Sequence, residues 1–280
     1  MMQLEPVDLV RGEVELPSLS AVFQQFTAKL DEPKATANDF SEIISTDPSL
    51  IVRVLKIVNS AFYSFTATIT DIPHAITIIG LSELRELILA LSVVEFFDGL
   101  PNDLISMESF WNHSVLTGLL ARELQKSPKV QTKESVYTAG MLHDVGSLVF
   151  YNRLPEVAKS VIELEKRQAK SRYLLEQEII GFDHAAIGGE LMRHWGLPDF
   201  LIEVVSNHHQ PDKAKSFQEE AQLINFADQV ARIIESGANP GMALKNMGQS
   251  IVFEIPESKL EESIDAAKEK QAAMVAAIMG

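Results

Sequence analysis

Seven residues of this 280-residue chain are candidates, by type and place in the sequence, for holding a metal ion: His113, the pair His143-Asp144, His184, the pair His208-His209, and Asp228. His143-Asp144 stands out by its setting. It ends the apolar run Ala139-Gly140-Met141-Leu142 and precedes Val145-Gly146, where two polar groups are costly unless something satisfies them. Neighbouring side chains on a helix diverge by about 100°, yet an ion at the helix flank is within reach of both. The chain contains no cysteine, which excludes disulfides, thiolate zinc sites, iron–sulfur clusters and Cys nucleophiles, and restricts any metal to His and carboxylate ligands. Such ligands suit Fe, Mn or Zn. Together the seven are enough for a site of one or two ions, the two-ion form being the kind that clamps a phosphoryl group and activates water for in-line attack.

The elements that must position them are helices. Apolar residues recur at helical spacing almost throughout, and alternating strand patterns are nearly absent, so the fold class is all-α. In the first part of the chain, Leu19, Val22, Phe23 and Phe26 form one stripe with Ser18 as its expected N-cap, and Asp47-Pro48 opens a helix with the stripe Leu50, Val54, Ile57 and Val58. Gly80 separates a short helix carrying Ile72, Ile76 and Ile79 from a longer one over 82–97. The turn Asp98-Gly99-Leu100-Pro101-Asn102 marks a boundary. Beyond it, helices are predicted over 110–125, 133–151, 156–169, 172–180, 184–195, 198–208 and 217–235. Gly188, one turn into the helix that His184 opens, leaves room for close approach by a backbone or ligand. A second break, Ser236-Gly237-Ala238-Asn239-Pro240-Gly241, precedes a last helix with the apolar face Leu260, Ile264, Ala267, Met274 and Ile278, expected to pack on the body. The expected organisation is an N-terminal helical lobe over 1–98, a second helical lobe with the metal site over 99–236, and a C-terminal helical appendage over 237–280.

Charge narrows the partners. The formal net charge is −15, so no excess of Lys and Arg exists to displace counterions from nucleic acid. Nucleic acid is not an expected partner. No stretch of about 18 apolar residues occurs and the first thirty residues lack a signal-peptide pattern, so no membrane association is expected and the location is read as cytoplasmic.

The order His113, His143-Asp144, His184, His208-His209, Asp228 resembles the HD superfamily of metal-dependent phosphohydrolases, in particular HD-GYP domains. Leu16-Pro17, the segment Ile43-Ile44-Ser45-Thr46-Asp47-Pro48-Ser49-Leu50, Asn59-Ser60-Ala61-Phe62-Tyr63, Ile79-Gly80-Leu81, Asp183-His184-Ala185 and Trp195-Gly196-Leu197-Pro198 resemble the HDOD domain over roughly residues 14–235. The resemblance implies a bacterial signalling or regulatory protein whose N-terminal helical bundle packs on an HD-like helical lobe. It implies one metal site of His113, His143, Asp144 and Asp228, and a second of His184, His208 and His209, with Asp144 bridging the two as the residue central to any catalysis.

Two departures weigh against cyclic-di-GMP hydrolysis. Three positions after Asp144, where HD-GYP domains have a lysine, stands Ser147, and Gln210-Pro211-Asp212-Lys213 replaces the Gly-Tyr-Pro loop. A replacement cation would come from Arg122 or Arg193. The position one turn before His113 is Ser109, with Glu108 out of phase, so a third metal is not expected. Each ligand also has a purely structural reading: His208-His209 as a helix C-cap, His113 as a core histidine on a carbonyl, His143-Asp144 as a buried polar pair, His184 as an ordinary helix start, and Asp228 as the partner of Arg232 one turn on. His74 and His194 are assigned to structure alone. The reading is an HDOD-type regulatory protein acting through contacts with a signalling partner, with an active metal-dependent phosphohydrolase of nucleotides or cyclic dinucleotides as the alternative. A phosphate-containing small molecule is the expected ligand class, and the oligomeric state is left open.

Overall fold

A computed structural model describes residues 4–11, 16, 18–63, 65–98, 104–128, 130, 132, 134–168, 170–238 and 255–279. Among these there is no β-strand. The helices are α1 (Pro6–Val10), α2 (Ala21–Leu30), α3 (Ala37–Ser45), α4 (Pro48–Val58), α5 (Ile72–Phe97), α6 (Met107–Gln125), α7 (Tyr137–Leu142), α8 (Val145–Arg153), α9 (Pro155–Gln168), α10 (Arg172–Ile180), α11 (His184–His194), α12 (Asp199–Asn207), α13 (Gln218–Glu235) and α14 (Glu257–Met279), with a 3-10 turn at Pro211–Lys213. None of the described helices is long and apolar enough to cross a membrane.

The chain divides into two compact units. One comprises residues 18–99 and 268–280 and contains α2 to α5 with the end of α14. Its helices start where the sequence provides acceptors for their free amides. Asp47 accepts from the backbone N–H groups of Ser49 and Leu50, and Pro48 occupies the first helical position. Ser20, not Ser18, caps α2 by accepting from the Phe23 amide. The stripe Leu50, Val54, Ile57 and Val58 is buried as its spacing requires, and Phe26 packs on Phe40 with ring centroids 4.8 Å apart. Gly80 adopts a left-handed φ of 82° inside α5 and breaks its helical course where the sequence placed the separation. The last turn of α14 is tied to α4, because Arg53 Nη2 donates to the Ile278 carbonyl (2.6 Å) and Lys56 Nζ to that of Ala276 (2.7 Å). Cations on the terminal carbonyls of a helix complement its dipole.

The other unit comprises residues 1–17 and 100–267. Residues 1–17, read from the sequence with the N-terminal lobe, therefore group here, and 237–280 is divided between the units at Ala267. Within this unit α6 packs on α7 and α13, α8 on α11, and α11 on α12. Glycines set how close these helices come. A Cβ at Gly140 would lie 2.8 Å from the Gly118 Cα, so α6 and α7 meet backbone to backbone. A Cβ at Gly146 would lie 2.0 Å from the His184 carbonyl oxygen and 2.4 Å from the Gly188 amide nitrogen, which brings the start of α8 against the first turn of α11. The room that Gly188 leaves is taken first by the Val205 side chain, whose Cγ1 would lie 2.9 Å from a Cβ there, and then by the Gly146 backbone.

The helix predicted over 133–151 is two helices. α7 stops at Leu142 and α8 begins at Val145, with Asp144 at φ −97° and ψ 2°. This interruption frees His143 and Asp144 from the 100° divergence of a continuous helix. The faces of α14 expected to be buried are buried: Leu260, Ile264, Ala267, Met274 and Ile278 are each less than 5% exposed. The segments 99–103 and 239–254, which include most of both turn signals, lie outside the described residues, as do Pro17, Lys133 and Ala169.

Candidate metal centre

All seven sequence-nominated residues converge in the second of these units. They form two groups, Asp144 with His184, His208 and His209, and His113 with His143 and Asp228, each with one donor atom per residue within 4.8 Å of the others. α6 supplies His113, the α7–α8 junction His143 and Asp144, α11 His184, the end of α12 His208 and His209, and α13 Asp228.

The imidazoles are oriented from behind. His143 Nδ1–H donates to the Gly140 carbonyl (2.7 Å) and His208 Nδ1–H to the Val205 carbonyl (2.8 Å). A carbonyl only accepts, so both rings carry their proton on Nδ1 and turn Nε2 inward. His184 Nδ1–H donates to Glu176 Oε2 (2.6 Å), and His113 Nδ1 lies 3.1 Å from both Glu235 oxygens. Imidazole backed by carboxylate or carbonyl is the arrangement that fixes tautomer and ring angle in metal-binding histidines. His209 differs. Its ring stacks on Tyr173 (centroids 4.4 Å apart, 16° between planes) and its Nε2 lies 2.8 Å from His184 Nε2.

Asp144 stands at the meeting point. Its Oδ1 lies 3.1 Å from His184 Nε2, 3.4 Å from His143 Nε2 and 3.5 Å from His208 Nε2, and its Oδ2 lies 3.8 Å from His113 Nε2. Nε2 of His143, Nε2 of His208 and Asp144 Oδ1 are all buried without a hydrogen bond. Asp228 Oδ1 lies 3.0 Å from His113 Nε2 and 3.7 Å from His143 Nε2.

Burial by itself would raise both carboxyls, but His143, His184 and His208 hold Asp144 well below the usual carboxylate range, and Arg232 and His113 do the same for Asp228. Burial works against protonated His113, yet Asp228 and Glu235 raise it to about 9. Burial likewise opposes charge on His184, where Glu176 and Asp144 prevail and raise it well above its usual value. Burial lowers His208 and lowers His209 further, so these two are neutral ligand-type imidazoles.

The cluster opens on a cavity of about 370 Å³ lined by Asp144, His184, His209 and Asp228, with Arg172 and Arg232 also in its wall. These arginines, not Arg122 or Arg193, face the centre; Arg193 pairs instead with Glu190 on the surface. Arg172 donates from Nε and Nη2 to Glu165 and from Nη1 to the Tyr151 hydroxyl. Arg232 donates from Nε to Asp228 (2.7 Å), so the helical pair read from spacing forms beside the cluster. His194 Nε2 lies 3.1 Å from the Leu16 carbonyl and takes no part in the cluster.

Sequence reasoning missed Glu176, Glu235 and the role of Arg172. Glu235 follows Asp228 by seven residues and Arg232 by three, so helical periodicity on α13 was a usable signal for it. Glu176 had none, since only the packing of α10 against α11 brings it behind His184.

The HDOD domain family matches residues 16–211 of this chain. An uncharacterized protein of Treponema pallidum (strain Nichols) is 25% identical over 223 residues, which are 79% of this chain and 43% of that protein. The chain thus spans less than half the length of that curated relative. Among solved structures, a protein of Shewanella amazonensis SB2B assigned as a phosphohydrolase superposes with a TM-score of 0.80 over 98% of both chains at 22% identity. An HDOD domain protein of Geobacter sulfurreducens superposes at 0.71, also at 22% identity, over 97% of this chain and 92% of that one. A protein of Marinobacter aquaeolei VT8 assigned to signal transduction does so at 0.65 and 20% identity, over 98% of this chain and 62% of that one. At these identities the likeness is one of fold.

Proposed function

This chain belongs to the HDOD domain family, and from that membership we propose that it is a cytoplasmic regulatory protein of the bacterial signalling type, built around two divalent ions of Fe, Mn or Zn and acting through a protein partner. One observation carries the metal. Three imidazoles, each with its Nδ1–H already spent elsewhere, aim Nε2 at the same buried oxygen, Asp144 Oδ1, from 3.1 to 3.5 Å. Lone pairs converging in this way need cations among them. A proton on His184 answers one contact, and His143 and His208 still face the carboxylate without a hydrogen bond. Each buried polar atom left in that state costs about 1–3 kcal/mol.

His113, His143 and Asp228 would hold one ion and His184, His208 and His209 the other, with Asp144 shared between the two sets. When bound, such a pair supplies Lewis acidity toward a phosphoryl oxygen. The chain's own groups do the rest: Glu176, Gly140 and Val205 orient the imidazoles, and the cavity wall admits a phosphate-containing small molecule. Regulation rather than turnover is favoured by Ser147 in place of a lysine and by the engagement of the cavity arginine Arg172 with Glu165.

The second reading, a metal-dependent phosphohydrolase of nucleotides or cyclic dinucleotides, is favoured by the opening of Asp144, His184, His209 and Asp228 onto the cavity. Metal analysis after incubation with Mn, Fe and Zn, followed by product assays on nucleotides and cyclic dinucleotides, separates the readings. Two ions per chain without turnover supports the regulatory function. Turnover at about 1 s⁻¹ or faster, lost in Asp144→Ala, replaces it with the enzyme. A chain that takes up no metal overturns both.

A further inference from the structure

We infer that Arg232 is a built-in counter-cation of the Asp144–Asp228 pair, which a metal ion displaces and which then serves as the cavity's binding group for a phosphate. This deepens the two-metal reading and rests on it.

Arg232 lies on α13 one turn after Asp228. Its Nε donates to Asp228 Oδ1 at 2.7 Å and its Nη2 to Asp144 Oδ2 at 3.3 Å, so one guanidinium joins the two carboxylates. The oxygen it holds most tightly is the one that lies 3.0 Å from His113 Nε2 and 3.7 Å from His143 Nε2. An ion shared by His113, His143 and Asp228 would draw on the same carboxylate, and its charge would repel the guanidinium held there, so the ion and the arginine compete for one anionic site.

Charge makes the competition consequential. Side chains of Asp144 and Asp228 are only 11% and 3% exposed, and two carboxylates with so little water require positive charge nearby. Without metal, Arg232 supplies part of it, beside the imidazoles of His113 and His184, and is the one group that bonds both carboxylates. With divalent ions present, that requirement is met and the guanidinium is surplus. Its side chain is 43% exposed and lines the same cavity as the cluster, so the released group has a place to go and an anion to meet. Arg172 is the comparison within the same wall. It bonds Glu165 and Tyr151 and neither aspartate, so metal does not displace it.

This arrangement predicts effects of opposite sign from one substitution. Arg232→Gln removes the competitor, and calorimetry with Mn²⁺ is expected to show binding about tenfold or more tighter than wild type. Titration of inorganic phosphate into the Mn²⁺-loaded variant is expected to show binding about tenfold weaker. Arg232→Lys keeps a charge that cannot bridge both carboxylates and should fall between, which also guards against a folding defect in the first variant. Arg172→Gln should change Mn²⁺ affinity far less.

Unchanged or weaker Mn²⁺ binding in Arg232→Gln, an equal gain in Arg172→Gln, or unaltered phosphate affinity would each overturn the inference. If wild type binds metal and Arg232→Gln binds it no better, only the role of Arg232 falls. If neither protein takes up Mn, Fe or Zn, the two-metal reading falls with it.

Discussion

Glu176 Oε2 accepts two hydrogen bonds from the same residue, one from His184 Nδ1–H at 2.6 Å and one from the His184 backbone amide at 2.8 Å. A fully buried carboxylate thus fixes both the ring and the helix start that carries it. Glu176→Gln is expected to lower Mn²⁺ affinity about 10- to 100-fold, the usual cost of losing such a backing group. Calorimetry reads this directly. Glu176→Ala should in addition lower the unfolding free energy by about 3 kcal/mol in chemical denaturation, because the His184 amide is left buried without an acceptor.

Gly146 is the point where the metal-bearing junction touches α11. Alanine there places a methyl group 2.0 Å from the His184 carbonyl oxygen, a backbone atom that cannot rotate away. Gly146→Ala should destabilise by about 1–3 kcal/mol or more, and should reduce metal content in the fraction that folds, since relief requires α8 and α11 to separate. A thermal melt unchanged from wild type would contradict this packing.

Metal should stabilise the native chain by mass action. At a free Mn²⁺ concentration 100 times the dissociation constant, the gain is about 2.7 kcal/mol, visible as a higher Tm. Asp144→Ala should abolish both the bound metal and the gain, because both ligand groups meet at that carboxylate. Equal metal content in Asp144→Ala would place the ions elsewhere.

Stability should also depend on acid through Glu203, whose Oε1 accepts from the backbone amides of Lys215, Ser216 and Phe217 and so anchors the approach to α13. Burial opposes the charge, but these three donors together prevail and lower the Glu203 carboxyl below its usual 4.5. The folded value lies below the unfolded one, so the stabilisation is present above about pH 4.5 and is lost as pH falls through the folded value. Glu203 is half-buried and keeps contact with water, so the contribution is discounted to about 1 kcal/mol. In urea titrations, Glu203→Gln should lose that amount at pH 7 and little at pH 3.

Much of the helical order was readable because capping and periodicity are local. Asp47-Pro48 opens α4, Leu50, Val54, Ile57 and Val58 are its buried face, and Gly80 interrupts α5, each through interactions within a few residues. The errors share a cause as well. Ser18 and Ser20 are both capable caps, and Ser20 is placed by its contact with Ser92, 72 residues away. The break at His143-Asp144 has no local signal, because the segment reads as continuous apolar helix. It is stabilised by Gly146 against α11, a long-range contact.

By itself, then, the sequence determined an all-helical, cysteine-free chain and named the seven His and Asp side chains that meet in one lobe, because residue type and order are enough to state what ligands exist. Only the tertiary structure decided what stands behind and beside them. The Asp228–Arg232 pair was readable from helical spacing, but Glu176 behind His184, Glu235 behind His113 and Arg232 beside Asp144 act across helices whose packing depends on glycine contacts between distant segments. The choice of Nε2 as the inward nitrogen depends on where Gly140 and Val205 direct their carbonyls. Those relations are set by distances between backbones, and nothing in the linear order of residues encodes them one at a time.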